Sequence, residues 1–339
     1  MAPPSVLVTG ATGFIGWRLV PALEAAGWTV VASGRRDRPT TLPASVAYRP
    51  ADLAADDLGP LVAGVTHVVH LAGASSSLST QEEMVRSNVD GTRRLVAAAA
   101  AAGVERFVHM SSTSVYGEEE QLPLPVREEV EPHPSRGYGK AKWQAEQQVW
   151  AAVEAGFDAA VLRPVTVYGP GAVKLLASAI LDAAVERHAG LRQLAVAAPP
   201  VEQRLVHLDD LVAATLHVLR HPDARGRAFN VASGVYPSSH EVAGILAAEF
   251  GMEPEVSDDP ECGLPYDERQ KVHARMLEQG MEDRILLNTE RFRLMRKANR
   301  NNRISLDNLL GTGFDLRHTD LAAGVAGTVA WYREHRWLL

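Results

Sequence analysis

The sequence predicts an α/β fold, a Rossmann-type doubly wound parallel sheet with a smaller, mostly helical C-terminal lobe, on two observations. The first is a β-branched apolar run, Val6-Leu7-Val8-Thr9, that meets three glycines at the spacing G-x-x-G-x-x-G (Gly10, Gly13, Gly16), with an amphipathic run from Trp17 to Ala26 directly behind them. That order reads as strand, tight turn, helix. The second is alternation. Strand signals at 29–32, 44–48, 65–71, 107–110, 159–163 and 228–231 are separated for the most part by helical patterns, notably 81–102 and 137–155, as a parallel sheet with crossover helices requires. From Gly169 the alternation weakens. Residues 1–168 with 204–235 therefore read as one domain, and 169–203 with 236–339 as a second lobe.

Each element then has a reason. Gly10 lets the chain leave the first strand sharply, Gly13 removes a side chain where backbone must approach a pyrophosphate, and Gly16 lets the helix pack close to the strand. The helix N-terminus offers amide N–H groups and the positive end of a dipole to phosphates. At the end of the second strand a carboxylate would bind ribose hydroxyls, but Ser33-Gly34-Arg35-Arg36 stands there. Nothing repels a 2′-phosphate, and Arg35 and Arg36 can pair with one, which favours NADP(H), with NAD(H) the second choice. Asp52-Leu53 after the third strand can accept from an adenine amino group, and His70-Leu71-Ala72-Gly73 ends the fourth strand in small residues that leave room for a cofactor.

A serine-rich strand end, Ser111-Ser112-Thr113-Ser114-Val115-Tyr116-Gly117, supplies hydroxyls. Tyr138 and Lys142 open a helix at i,i+4 and share one of its faces. A phenol is a poor acid–base group at its free pKa near 10, and a neighbouring ammonium brings it toward working pH.

Composition narrows the classes. The chain has 339 residues, 46% hydrophobic, net charge −7 and a single cysteine, Cys262. The charge favours neither nucleic acid nor an anionic membrane, one thiol excludes a disulfide framework, and no apolar run reaches the roughly 18 residues of a membrane helix. Met1-Ala2-Pro3-Pro4 runs straight into the first strand, which leaves no room for a secretory leader and points to the cytoplasm. Nothing shows metal-ligand spacing.

Taken as a set, Thr9–Gly16, Asp52-Leu53, His70–Gly73, Asn88-Val89-Asp90-Gly91-Thr92, Ser111–Gly117, Tyr138–Lys142, Arg163–Pro170, His207–Leu211 and Asn230–Gly234 resemble the extended short-chain dehydrogenase/reductase family, its epimerase/dehydratase group, over most of the chain. The resemblance implies a Rossmann lobe for the cofactor, a C-terminal lobe for the substrate, and a homodimer built on the helices at 81–102 and 137–155. It implies Ser112, Tyr138 and Lys142 as catalytic residues. It places Gly10, Thr12, Gly13, Phe14, Ile15, Gly16, Arg35, Arg36, Asp52, Leu53, Leu71, Ala72, Gly73, Lys142 and Pro164 against the cofactor, and Ser75, Ser112, Thr113, Thr166 and Arg204 against a sugar-like small-molecule substrate.

Departures narrow the chemistry. Sugar 4,6-dehydratases carry an Asp-Glu pair after the catalytic hydroxyl and decarboxylases a Glu at the second of those positions; Thr113 and Ser114 stand there, so hydride chemistry without elimination is expected. The asparagine that holds a sugar nucleotide is replaced by Thr166, and the diphosphate arginine by Gln203, with Arg204 shifted by one. A one-residue shift in a strand sends a side chain to the other face, so a nucleotide diphosphate is not required. His207 reads as structural, and Cys262 as a loop or buried thiol. The segment from Arg269 to Arg303, with Arg275, Arg284, Arg291, Arg293, Arg296 and Arg300 between, is either a solvated helix face or a cap for an anionic substrate or partner subunit. The expected activity is that of an epimerase or ketoreductase on a secondary alcohol or ketone. A reductase of a non-sugar ketone and a non-catalytic NADP-binding sensor are the alternatives, the sensor having no need of Ser112, Tyr138 and Lys142 together.

Overall fold

A computed structural model of the chain describes residues 3–74, 79–117, 122–135, 137–296 and 303–339. The chain forms two compact units: Met1–Val165, Asp209–Val231 and Ile304–Asp315 make the first, and Thr166–Leu208, Ala232–Arg303 and Leu316–Leu339 the second. In chain order the strands are β1 (Ser5–Thr9), β2 (Thr29–Ser33), β3 (Ala47–Tyr48), β4 (His67–His70), β5 (Arg106–Met110), β6 (Ala159–Pro164), β7 (Thr166–Tyr168), β8 (Gln193–Ala197), β9 (Leu205–His207), β10 (Ala228–Val231) and β11 (Glu253–Ser257).

In the first unit seven strands form one parallel sheet in the order β10-β6-β5-β4-β1-β2-β3, flanked by helices. Strands covered on both faces read as near-continuous apolar runs: β5 and β6 are buried at every residue, Arg106, His109 and Arg163 included, and β1 from Val6 onward. Leu7, Val31, Val68, Phe107 and Val161 pack with Leu95, Val96 and Ala99 of helix Gly91–Ala101 and Val149 of helix Gly137–Glu154. The strand order reverses direction between β1 and β4, and the carboxyl ends beside such a switch point are where an open α/β sheet holds its ligand.

Three expectations need amendment. The strand expected over 44–48 shrinks to Ala47–Tyr48, because the chain turns at Pro43 to Val46 first. The helix expected over 81–102 is α-helical at Gln81–Met84 and Gly91–Ala101 but widens to a π-helical turn at Val85–Asp90, a single wide turn of the kind that interrupts α-helices. The domain boundary also differs, since Ile304–Asp315 belongs to the first unit. Ser305 donates to the Val126 carbonyl at 2.8 Å, Asn308 caps Ala228 at 3.3 Å, and His217 meets Thr312 at 2.8 Å.

The second unit holds two small parallel sheets, β11-β8 and β7-β9, among helices that include Leu176–His188, Ser239–Glu249, Tyr266–Glu278 and Leu321–Glu334. No helix among the described residues is long and apolar enough to cross a membrane.

Candidate active site

The turn after β1 is shaped by what its glycines cannot carry. Gly10 sits at φ +69°, and a Cβ there would stand 2.7 Å from the Ala72 nitrogen; at Gly16 a Cβ would overlap the Gly10 carbonyl and Ala11. The β1–helix junction is thus as tight as backbone permits. Helix Gly16–Ala25 starts with no side-chain cap; Trp17, Arg18 and Leu19 donate to the Gly13 and Ile15 carbonyls, and the positive end of the helix dipole lies at the turn, where it favours an anion.

Beside it lies a cavity of about 540 Å³ lined from the carboxyl ends of four strands: Thr9, Gly10, Thr12 and Gly13 after β1, Ser33 to Arg35 after β2, Ala51 to Ala54 beyond β3, and Leu71 to Ala74 after β4. Its volume lies in the range of ligand pockets. Asp52 at its wall accepts from the Ala54 amide at 2.9 Å and from Arg86 at 3.1 Å. These residues fit a dinucleotide: side-chain-free backbone at the phosphates, an acceptor at one end, and no carboxylate among the lining residues Ser33 to Arg35. Of the expected contacts, Gly10, Thr12, Gly13, Arg35, Asp52, Leu53, Leu71, Ala72 and Gly73 line the cavity, whereas Phe14, Ile15, Gly16, Arg36, Lys142 and Pro164 do not. Arg36 is instead held by its own carbonyl, which accepts from the Tyr48 hydroxyl at 2.6 Å.

Ser112 follows β5 in extended geometry and caps the short helical turn Thr113–Tyr116. Its Oγ accepts from the Ser114 amide at 3.2 Å and the Ser114 hydroxyl at 3.0 Å. Two accepted bonds leave its own proton to give, and polarise that proton for donation. Thr113 turns the other way: it is buried and donates to the Pro164 carbonyl at 3.4 Å.

Helix Gly137–Glu154 is brought against this turn by Gly139, where a Cβ would lie 2.5 Å from the Ser114 carbonyl. Tyr138 precedes this contact residue in the helix. Burial pushes its phenol up to about 12. Lys142, one turn on, is buried, donates to the Met110 carbonyl at 2.9 Å and lies 5.9 Å from the Tyr138 ring centre. Burial pulls its ammonium down to about 8, partly offset by Glu146.

One turn further along the same helix, Glu146 receives Arg163 at 2.7 Å. Arg163 also donates to the Tyr116 hydroxyl at 2.9 Å, which donates to Asn230 at 2.8 Å. This buried network ties the helix to β6 and β10 and stiffens the segment that carries Tyr138 and Lys142.

The second unit holds Thr166 at the start of β7 and Arg204 beside β9, both half-buried, while Gln203 turns inward and donates to the Val201 carbonyl at 3.0 Å. His207 stacks on His318 with ring centres 4.5 Å apart. Ser75 and Arg300 lie outside the described residues, as does the side chain of Arg296.

Among the described residues the arginine-rich segment is not wholly solvated. Arg269 and Arg291 are buried and clasp Asp182 at 2.6 Å and Glu186 at 2.5 Å, both carboxylates belonging to helix Leu176–His188. Arg284, Arg293 and Arg303 pair with Glu282, Glu290 and Glu202. The sequence reading missed these carboxylates, and it missed Glu83, Arg86 and Ser87 as cavity walls; the only signal for the last three was the Asn88–Thr92 segment that follows them.

Residues 6–232 match the model of the NAD dependent epimerase/dehydratase family. The chain belongs to that family, a class of enzymes that work with a nicotinamide dinucleotide. It is 31% identical over 289 residues to a GDP-6-deoxy-D-mannose reductase of Pseudomonas aeruginosa, covering 80% of this chain and 89% of that one. It is 28% identical to a dTDP-glucose 4,6-dehydratase of Streptomyces griseus, covering 98% and 94%. Among solved structures, MoeE5 in complex with UDP-glucose and NAD superposes with a TM-score of 0.72 at 27% identity, over 98% of this chain and 99% of that one.

Proposed function

We propose that this chain is an NADP(H)-dependent epimerase or ketoreductase acting at a secondary alcohol or ketone of a sugar-like substrate. The observation that supports the reading is the contact of Gly139 with Ser114, which brings the helix that carries Tyr138 and Lys142 against the turn that carries Ser112. The bound cofactor supplies or takes the hydride. Ser112 holds the substrate oxygen with its polarised proton. Tyr138, protonated at neutral pH, gives its proton to that oxygen in the reducing direction and takes it back in the oxidising one. Lys142 holds positive charge beside the phenol and a donor toward the cofactor ribose. A non-catalytic sensor would have no use for that grouping.

The hydroxyls at positions 113 and 114 support hydride transfer without elimination. Thr113 is committed to Pro164 and Ser114 to Ser112, so neither supplies the second acid and base that a dehydratase needs. NADP(H) over NAD(H) rests on Arg35 lining the cavity where a carboxylate would repel a 2′-phosphate. The family resemblance supports a homodimer through the helical segments at 81–102 and 137–154, and the single cysteine supports a cytoplasmic setting. A second reading, reduction of a non-sugar ketone, is favoured by Gln203, buried where a diphosphate-binding arginine would stand. Purified protein offered NADPH with nucleotide-linked 4-keto sugars and with aromatic ketones distinguishes the two. Absence of hydride transfer to either group, with cofactor bound, would refute the enzyme reading.

A further inference from the structure

We propose that His70 is a positioning residue: in one fixed tautomer it ties the cofactor loop Leu71–Ala74 to the turn that carries Asn88. This rests on the cavity being the dinucleotide cradle, but not on the identity of the substrate.

His70 ends β4, fully buried, opposite Thr9 of β1 and His109 of β5. Its Nδ1 lies 2.7 Å from Thr9 Oγ1 and its Nε2 2.9 Å from Thr92 Oγ1. A hydroxyl has one proton to give. Thr92 spends its proton on the Asn88 carbonyl at 2.5 Å, so toward His70 it can only accept, and Nε2 carries the hydrogen. Nδ1 is then bare and accepts from Thr9. The remaining lone pair of Thr9 faces the Ala72 amide at 3.4 Å. The direction of every bond is determined: Ala72 N–H to Thr9, Thr9 to His70, His70 to Thr92, Thr92 to Asn88.

The chain closes on itself, because the Asn88 side-chain amide donates to the Ala74 carbonyl at 3.1 Å. It leaves the cofactor loop at Ala72 and returns two residues later. Thr9, Ala72 and Ala74 all line the cavity. Asn88 Oδ1 and Lys142 Nζ converge on Gly73, where a Cβ would overlap the first and lie 3.4 Å from the second. The ring of bonds therefore sets the floor of the cradle and the space around the lysine together.

Burial, and after it the nearby charge of Lys142, keeps His70 neutral. The His109 and Phe107 rings stand 5.3 and 5.9 Å away, and Lys142 supplies a nearby positive charge. A second proton on Nδ1 would break the Thr9 bond and set two cations side by side.

Nitrogen-15 NMR of the cofactor-free protein, with the His70 signals assigned by their loss in His70→Gln, tests the tautomer directly. The expected result between pH 6 and 8 is a protonated Nε2 and a bare Nδ1. An Nδ1–H tautomer or an imidazolium would overturn the proposal, and this measurement needs no variant to be active. Thr92→Val, which removes the acceptor, is expected to weaken NADPH binding at least fivefold, and Thr92→Ser to restore it within twofold. Wild-type affinity in Thr92→Val would also overturn it. Neither titration uses a substrate, so failure here is distinguishable from failure of the epimerase or reductase reading.

Discussion

Two helices of this protein bury charge, to opposite ends. Helix Leu176–His188 carries Asp182 and Glu186, each closed by an arginine and each taking a backbone amide as well, from Phe292 at 2.9 Å and Leu264 at 2.9 Å. Helix Gly137–Glu154 carries Lys142, whose ammonium has three donors and spends one on the Met110 carbonyl. The first pair of charges is saturated and can only hold structure. The second is left with capacity to spare, which is costly in isolation and useful only if something else completes it. The difference separates a brace from a site without any reference to sequence family. The same helix shows both, since Glu146 one turn beyond Lys142 is fully matched by Arg163.

The sharpest way to break this contrast is at the unsaturated end. Tyr138→Phe is expected to lower kcat by about 10²–10⁴-fold, the usual contribution of a positioned acid–base group, while NADPH affinity by fluorescence titration stays within twofold. A variant that kept a tenth of wild-type turnover would remove Tyr138 from the chemistry. Lys142→Ala should lower both turnover and affinity.

At the saturated end the effect moves from rate to stability. Arg291→Ala leaves Glu186 buried without its partner, and breaking a buried pair from one side costs about 3–5 kcal/mol. Urea denaturation should report the loss. Joint replacement, Arg291→Met with Glu186→Leu, should recover much of it, because no orphaned charge remains. A double variant as unstable as the single one would show that the pair contributes more than mutual neutralisation.

Cofactor choice is the next step down. Arg35→Ala is expected to weaken NADPH by roughly 1.5–3 kcal/mol, the worth of a hydrogen bond to a charged group, with NADH affinity little changed. Arg36→Ala should do less, since Arg36 does not line the cavity. Equal losses for the two cofactors would show that Arg35 does not read the phosphate.

The smallest effect concerns pH. Burial pulls Lys142 from its ordinary value to about 8. Between that point and the unfolded value near 10.4 the unfolded chain binds more protons than the folded one, so this group makes stability rise with pH across that window. Cofactor affinity should fall over the same range as the cation is lost, and Lys142→Arg should flatten both profiles. A wild-type profile flat from pH 7 to 10 would place the lysine at its ordinary value.

What the sequence revealed of this site is what lies close together in the chain. The glycine turn, the Ser112 segment and the Tyr138–Lys142 pair each fit within one strand end or one helical turn, and their chemistry follows from spacing alone. The Gly139 contact could not be read, because its partner Ser114 reaches it only through folding. The arginines were read by density, which does not show their partners: Arg269 is 87 residues from Asp182 and Arg291 is 105 from Glu186, too far for any local pattern to announce. Thr113 was read by its position in a motif, which does not show that it is buried in the tight turn after Ser112.

The return of Ile304–Asp315 to the first unit bears on how the chain is made. A ribosome delivers the glycine turn first and the strands through β10 by residue 231, yet the segment that pairs at Val126 and caps Ala228 emerges only after most of the second unit has been synthesised. At about 5–20 residues per second, the nascent sheet waits on the order of 5–15 s for its final piece. During that interval β10 stands as an edge strand without Asn308 over it, and an exposed edge is a template for pairing with another chain. Vectorial synthesis thus gives this protein a timed vulnerability that the finished molecule does not have.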